Sequence, residues 1–169
     1  MPAALGSALF LLLAAGIGAG LVPWWISHWI VHAPLFGLRL IRALGASLIL
    51  LGIIVVIDSF ARFAFQGLGT PAPVFPARHL VVTGFYRYVR NPIYLAAVSV
   101  ILGEGLILGN VNVLAYGVLA WLGTNWYVAA YEEPTLRKTF GAEYDAFCRN
   151  VPRWVPRPSP WTPEQRDPA

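Results

Sequence analysis

Long stretches without charged residues constrain the fold of this chain more than any other feature. Residues 3–22 and 111–131 carry no charge, and residues 93–109 carry a single one, Glu104. A fourth apolar run begins at residue 43 and continues for ~19 residues, close to the ~20 that a helix needs to cross ~30 Å of hydrocarbon. We therefore predict an all-α integral membrane protein with about four transmembrane helices.

The composition supports this class and excludes others. Charged residues make up 12% of the 169 residues, about half of the usual quarter, and 57% are hydrophobic. Intrinsic disorder, a collagen-like fibre and a disulfide scaffold are excluded, the last because the chain has one cysteine, Cys148. The net charge of +4 indicates contact with anionic lipid headgroups, and no nucleic-acid partner is predicted.

The apolar runs and the polar segments between them divide the chain into three parts. Residues 1–61 hold the N-terminal membrane helices and an amphipathic aromatic segment. Residues 62–156 hold a loop, a helical hairpin and an early tail, and residues 157–169 form a loose, proline-rich tail. The two apolar runs of the second part are separated only by Asn110, which predicts an antiparallel helical hairpin.

The basic residues are distributed unequally along the chain. The central loop and the tail hold ten of the 12 Lys and Arg residues, and the first loop holds only Arg39 and Arg42. The positive-inside rule therefore places the central loop and both termini in the cytoplasm. Because a hairpin returns the chain to the side it left, Arg90 and Glu132 are expected at the same face of the membrane.

Two patterns in the first part have competing interpretations. Gly16 and Gly20 have the small-xxx-small spacing of helix contacts in lipid, which we favour over a nucleotide-binding loop because no strand precedes them. Residues 23–38 combine Trp and His at helical spacing, which predicts a helix or a re-entrant segment at the interface. No metal site is predicted for His28 and His32, because no third ligand stands nearby in the sequence.

Two polar segments flank the hairpin, and both are expected at the same cytoplasmic end of the membrane helices, which we call the mouth. Residues 80–94 supply aromatic rings and guanidinium groups, and residues 131–144 supply the carboxylates of Glu132 and Glu133. A carboxylate binds an ammonium group, and an aromatic ring stacks on a base or faces a cation. The mouth is therefore suited to a zwitterionic cofactor that carries an aromatic ring.

These segments contain three short motifs in a fixed order. Gly-x-Tyr-x-x-x-Arg-Asn-Pro-x-Tyr at residues 84–94 precedes the hairpin, Glu-Glu-x-x-Leu-x-x-x-Phe-Gly-x-x-Tyr at 132–144 follows it, and Val-Pro-Arg-Trp-x-Pro stands at 151–156. The pattern resembles the integral-membrane methyltransferases of the isoprenylcysteine carboxyl methyltransferase and phospholipid methyltransferase family. The resemblance implies S-adenosylmethionine as cofactor, no Rossmann domain, and a lipophilic acceptor that enters from the bilayer.

The resemblance also assigns cofactor contacts and shows two departures from the prenylcysteine branch. Asn91 stands where those enzymes have a histidine, and Val128 stands where they have an arginine that meets the substrate carboxylate. A neutral or cationic acceptor is therefore expected. The implied cofactor contacts are Arg78, His79, Leu80, Val81, Tyr86, Asn91, Pro92, Ile93, Tyr94, Glu132 and Glu133.

Methyl transfer from a sulfonium needs little acid–base catalysis, because an in-line displacement depends mainly on positioning and on the exclusion of water. Glu132 is suited to hold the ammonium of the donor, and Arg90 to hold its carboxylate or to brace the loop. Glu104 is a second catalytic candidate, since an ionisable residue deep in a membrane helix is functional by default. Its structural alternative is an interhelical hydrogen bond to Asn112 or Asn125.

The sequence thus predicts an S-adenosylmethionine-dependent methyltransferase that acts on a small lipophilic acceptor. A phospholipid N-methyltransferase is the alternative among enzymes. A membrane adaptor that binds anionic lipid without catalysis is the alternative outside them. The acids Glu132 and Glu133 favour an enzyme, because headgroup binding needs no acids at the mouth, whereas an ammonium-bearing cofactor does.

Overall fold

A computed structural model of the protein describes residues 16–62 and 80–162, and within these ranges the chain is helical and contains no strand. This confirms the all-α prediction. A π turn at Ile17–Leu21 leads into α1, and a second π turn at Val128–Glu132 joins α4 to α5. The helices are α1 (Val22–Ser27), α2 (Leu40–Arg62), α3 (Pro92–Leu108), α4 (Val111–Tyr127), α5 (Glu133–Phe140) and α6 (Ala142–Asn150).

Among the described residues, two helices are long and apolar enough to cross a membrane. One is Leu40–Arg62, and the other is the continuous helix Val111–Phe140, which comprises α4, the π turn and α5. Ile17–Ser27 and Pro92–Leu108 are apolar but shorter. Most of the predicted first run, residues 3–22, lies outside the described residues. The described part of the chain therefore contains two of the expected crossings at full length.

Glycines allow α2 and α3 to pack very closely. A Cβ atom built on Gly45 would lie 2.6 Å from the carbonyl oxygen of Gly103, and one built on Gly52 would lie 2.8 Å from that of Ala96. Residue numbers rise along one helix as they fall along the other, so the helices are antiparallel. Direct contact between helix backbones is typical of packing in lipid. No hydrophobic effect drives helices together there, and small residues at the interface allow the close approach on which association depends.

The predicted hairpin is confirmed. Gly109 adopts a left-handed conformation with φ 63°, which ends α3, and the Asn110 side chain accepts hydrogen bonds from the backbone N–H groups of Asn112 and Val113 at the start of α4. The turn is tightly enclosed, because a Cβ on Gly109 would lie 2.4 Å from the carbonyl oxygen of Ala33. Glycine meets both requirements, the positive φ and the lack of space.

The predicted contact through Gly16 and Gly20 is not formed among the described residues. Among the described residues nothing lies within 4 Å of a Cβ built on either glycine, and the contact is made at Gly18, whose carbonyl oxygen accepts a hydrogen bond of 2.9 Å from Tyr116. The π turn explains the difference. The small-xxx-small prediction assumes that residues four apart lie on one face of an α-helix. In a π turn the hydrogen bonds join residues five apart, so this spacing no longer applies.

The helical prediction for residues 23–38 holds only up to Ser27. His28 and Trp29 have left-handed backbones, with φ of 46° and 56°, and the chain beyond them is not helical apart from a short turn at Leu35–Gly37. The Ser27 hydroxyl stabilises this break by donating to Pro23 O at 2.7 Å and accepting from Trp29 N at 3.1 Å. His28 and His32 consequently do not share a helix face.

The early tail folds back onto the segment that precedes the hairpin. The sequence predicts one short helix with an apolar stripe here, but Gly141, with φ 52°, divides it into α5 and α6. Tyr144, Phe147 and Val151 form a buried core, against which Leu80 and other partly buried residues pack. The apolar stripe therefore packs on the segment that precedes the hairpin.

Candidate functional site

Backbone hydrogen bonds join the start of the hairpin to the tail. Arg90 N donates to Pro152 O at 2.9 Å, and Arg157 N donates to Tyr88 O at 3.0 Å. Further along, Trp161 N donates to Arg87 O at 2.9 Å. The described tail, up to residue 162, is thus attached to the segment before α3. Side chains from α3, α5 and the tail therefore meet at one end of the hairpin.

The first group of side chains at this end consists of Tyr86, Tyr94 and Glu132, which we call the carboxylate pocket. Tyr94 stands in the first turn of α3, and Glu132 is the last residue of the π turn after α4. The Tyr94 hydroxyl donates to Glu132 Oε2 at 2.8 Å. Within the described residues Glu132 Oε1 accepts no hydrogen bond, and the residue is only partly buried. One carboxylate oxygen is therefore held and the other is available.

Tyr86 is the buried member of the carboxylate pocket. Its residue is 8% exposed. Burial, and secondly the charge of Glu132, raise the pKa of Tyr86 well above its usual value. The phenol is therefore neutral at physiological pH. Its ring adds a neutral aromatic surface beside the carboxylate.

The second group consists of Arg90, Glu133 and Arg153, which we call the arginine clamp. Arg153 donates from Nε to Glu133 Oε1 and from Nη2 to Oε2, both at 2.7 Å, in bidentate geometry. Arg90 Nη1 lies 3.0 Å from Glu133 Oε1, and the side chains of Arg90 and Glu133 are 12% and 10% exposed. The hydrogen bond to Glu133 raises the pKa of Arg153, so this guanidinium stays protonated.

Additional hydrogen bonds extend the clamp into neighbouring elements. Arg90 Nη1 also donates to Cys148 Sγ at 2.8 Å, and Asn91 Nδ2 donates to Arg153 O at 3.3 Å. Trp154 Nε1 donates to Asn125 Oδ1 at 2.8 Å, which attaches the tail to α4. The sequence analysis did not assign these roles to Arg153 and Trp154, although their Val-Pro-Arg-Trp motif marked the tail as part of the pattern.

Glu104 lies apart from both groups. It is ten residues beyond Tyr94 on α3, which corresponds to ~15 Å along the helix axis. Its Oε2 atom is buried and has no hydrogen-bond partner among the described residues. The predicted alternative, a hydrogen bond to Asn112 or Asn125, is not formed in the part of the chain that the structure describes, where the Asn125 side chain instead accepts from Trp154.

The remaining predicted cofactor contacts have different surroundings. Arg78 and His79 lie outside the described residues. Leu80 packs against the Tyr144 core, and Val81 is buried at 7% exposure. Pro92 and Ile93 begin α3 beside Tyr94. The structure thus brings together Tyr86, Tyr94 and Glu132 in one group and Arg90, Asn91 and Glu133 in the other.

The site elements coincide with a known sequence family. The sequence profile described as phospholipid methyltransferase matches residues 40–143, which include α2, the hairpin, the carboxylate pocket and two of the three clamp residues. This chain belongs to the phospholipid methyltransferase family. The predicted family is confirmed, and the apolar helices agree with a family of membrane methyltransferases.

Two curated relatives within this methyltransferase family show what the chain is similar to. A phosphatidylethanolamine N-methyltransferase of Laccaria bicolor is 32% identical over 121 residues, which cover 69% of this chain and 13% of that protein. A protein-S-isoprenylcysteine O-methyltransferase of Schizosaccharomyces pombe is 35% identical over 80 residues, which cover 46% of this chain and 34% of that protein. The chain thus spans well under half of either relative, and their names differ in the acceptor.

Proposed function

We propose that this protein transfers a methyl group from S-adenosylmethionine to a lipophilic acceptor that reaches the site from the bilayer. The observation that carries the proposal is the available oxygen of Glu132. Its Oε2 is held by Tyr94, whereas Oε1 accepts no hydrogen bond from the described residues. The donor set fits the cofactor, because a half-buried carboxylate binds an ammonium group and the adjacent tyrosine rings suit adenine or a sulfonium. S-adenosylmethionine would supply the methyl group as an electrophile.

Each residue of the site has a positioning task in this proposal. Glu132 Oε1 accepts hydrogen bonds from the ammonium, while Tyr94 holds the other oxygen and so orients the carboxylate. Tyr86 stays neutral and buried, which excludes water from one side of the pocket. The sequence suggested two roles for Arg90, holding the cofactor carboxylate or bracing the loop. Its ion pair with Glu133 favours the bracing role.

The proposed activity has a direct test. Purified protein is incubated with S-adenosylmethionine carrying a labelled methyl group and with a total lipid extract, and the label in the organic phase is measured. We expect time-dependent labelling of a lipophilic product. Label that stays in the aqueous phase, together with no cofactor binding by calorimetry, would support the adaptor alternative.

Loss of the Tyr94 hydroxyl is expected to weaken cofactor binding. Tyr94→Phe removes the hydrogen bond to Glu132 Oε2, and a net contribution of about 0.5–1.5 kcal/mol corresponds to a two- to tenfold rise in Kd. Tyr94→Ala also removes the ring and should have the larger effect. Titration calorimetry measures both, with Tyr131→Phe as control because Tyr131 is exposed and makes no side-chain hydrogen bond in the described region. Equal Kd values for Tyr94→Phe and the control would contradict the orienting role.

The acceptor is expected to lack a carboxylate. Residues 105–131 of the hairpin contain no basic residue, and Val128 is buried at 1% exposure, so neither supplies a cation. Three arginines that the structure describes at this end are already engaged, Arg90 and Arg153 with Glu133 and Arg87 with Trp161 O and the Thr162 hydroxyl. An unpaired carboxylate in a poorly hydrated pocket is costly. These features favour a neutral or cationic acceptor.

Substrate comparison tests this expectation. We expect purified protein to methylate a farnesylcysteine carboxylate poorly relative to long-chain amines and thiols under the same conditions, as measured by transfer of labelled methyl groups. Amine methylation would support the phospholipid N-methyltransferase alternative, which the Laccaria relative also favours. Efficient carboxyl methylation would show that one of the paired arginines changes partner.

We further propose four membrane crossings with both termini in the cytoplasm. His32 N donates to Leu108 O at 2.8 Å, which places the segment before α2 and the hairpin turn at the same end of the bundle. Alternate crossings by residues 3–22, α2, α3 and α4 agree with this contact. A reporter after Ala169 should be cytoplasmic, and one inserted at Gly109 should be external. A cytoplasmic hairpin turn would contradict the topology.

A further inference from the structure

Glu104 lies between the two faces of α3 that contact α2 and α4. The residue before it, Gly103, packs against Gly45 of α2, and the residue after it, Gly105, packs against Leu114 of α4. Since successive residues of a helix are 100° apart, Glu104 points between these two contacts. The π turn before α1 packs against α3, and Tyr116 of α4 donates to Gly18 O.

The carboxylate of Glu104 lacks a hydrogen-bond donor among the described residues. Its Oε2 atom is buried without a hydrogen-bond partner, and no ion pair involves this residue in the part of the chain that the structure describes. Residues 93–131 of the hairpin contain no Lys, Arg or His. Buried polar atoms are almost always hydrogen-bonded, and a buried carboxylate accepts but does not donate. A cationic donor from outside the described chain would satisfy it.

The helix face that leads to Glu104 is apolar. Four half-buried residues, spaced i, i+4, i+7 and i+11, lie in one row along α3: Ile93, Ala97, Val100 and Glu104. The row runs from the end of α3 at the carboxylate pocket to the Glu104 carboxylate, beside the contact that Val100 makes with Gly52 of α2. It offers a hydrocarbon chain a surface of suitable length and polarity.

We propose that Glu104 binds the ammonium group of a lipophilic amine whose hydrocarbon chain lies along the row formed by Ile93, Ala97 and Val100. The carboxylate accepts hydrogen bonds from the ammonium, which neutralises the charge at this depth. The site is separate from the carboxylate pocket, ~15 Å away along α3. It stands as a binding site whether or not the bound amine is also a methyl acceptor.

The probes for this site are oleylamine and oleyl alcohol, which share a hydrocarbon chain and differ in the headgroup. Native mass spectrometry of the delipidated protein in detergent measures how much of each is retained. We expect the unaltered protein to retain the amine at least tenfold more than the alcohol, and Glu104→Gln to lose this preference. Glu143→Gln, which removes an exposed carboxylate of α6, is the matched control and should keep it.

Two further measurements make the outcome decisive. Delipidated Glu104→Gln should melt at the same temperature as the unaltered protein or higher, because it removes a buried acid that has no partner among the described residues. Its affinity for S-adenosylmethionine should be unchanged. Equal retention of amine and alcohol by the unaltered protein, or a lower melting temperature for Glu104→Gln, overturns the proposal. Amine retention without any cofactor binding would support this site while refuting the proposed methyl transfer.

Discussion

Glu132→Gln is expected to weaken the binding of S-adenosylmethionine by about 10- to 150-fold while the protein stays folded and inserted. The substitution keeps the size of the side chain and removes the charge that faces the ammonium, and a charge-assisted hydrogen bond contributes about 1.5–3 kcal/mol. Glutamine at this position still accepts a hydrogen bond from Tyr94, so the helix contact is retained. Titration calorimetry on the purified protein measures the effect.

Glu143→Gln is the matched control for this experiment. It makes the same chemical change on α6, at an exposed position that is not part of the carboxylate pocket. We expect its Kd to equal that of the unaltered protein. If Glu132→Gln binds the cofactor as tightly as this control, Glu132 is not the ammonium site, and the proposed function loses its main support.

Glu133→Ala is expected to lower the free energy of unfolding by about 3–5 kcal/mol, because it leaves two partly buried arginines without their shared partner. The Glu133 side chain is 10% exposed, and it holds Arg153 through two hydrogen bonds of 2.7 Å and Arg90 at 3.0 Å. The substitution would remove the contact that joins the tail to the starts of α3 and α5. Thermal and denaturant unfolding in detergent measure the change.

The exposed ion pair between Arg137 and Asp145 provides the control. These side chains are 53% and 42% exposed, and surface pairs contribute about 0–1 kcal/mol, so Asp145→Ala should change stability little. Arg153→Lys should fall between the two, since lysine does not reproduce the bidentate geometry. Similar losses for Glu133→Ala and Asp145→Ala would show that the arginine clamp contributes no more than a surface pair.

The sequence by itself determined the helical class, the position of α2 and the hairpin. These features depend on local properties: long uncharged runs specify helices that bury their backbone polar groups, and Gly109 followed by Asn110 specifies the turn. The ion pair between Asp58 and Arg62 was also predictable, because residues four apart on a helix are neighbours. Arg62 Nε lies 2.8 Å from Asp58 Oδ2. The family was recognisable because its motifs keep their order and spacing.

The tertiary structure alone decided how the two adjacent glutamates differ. Neighbouring residues on a helix point about 100° apart, so Glu132 meets Tyr94 while Glu133 meets Arg153, which is twenty positions away in the tail. Local spacing carries no information about such a partner. The same reason applies to Gly18, which the π turn places against Tyr116, and to Glu104, whose lack of a partner is visible only once the neighbouring helices are in place.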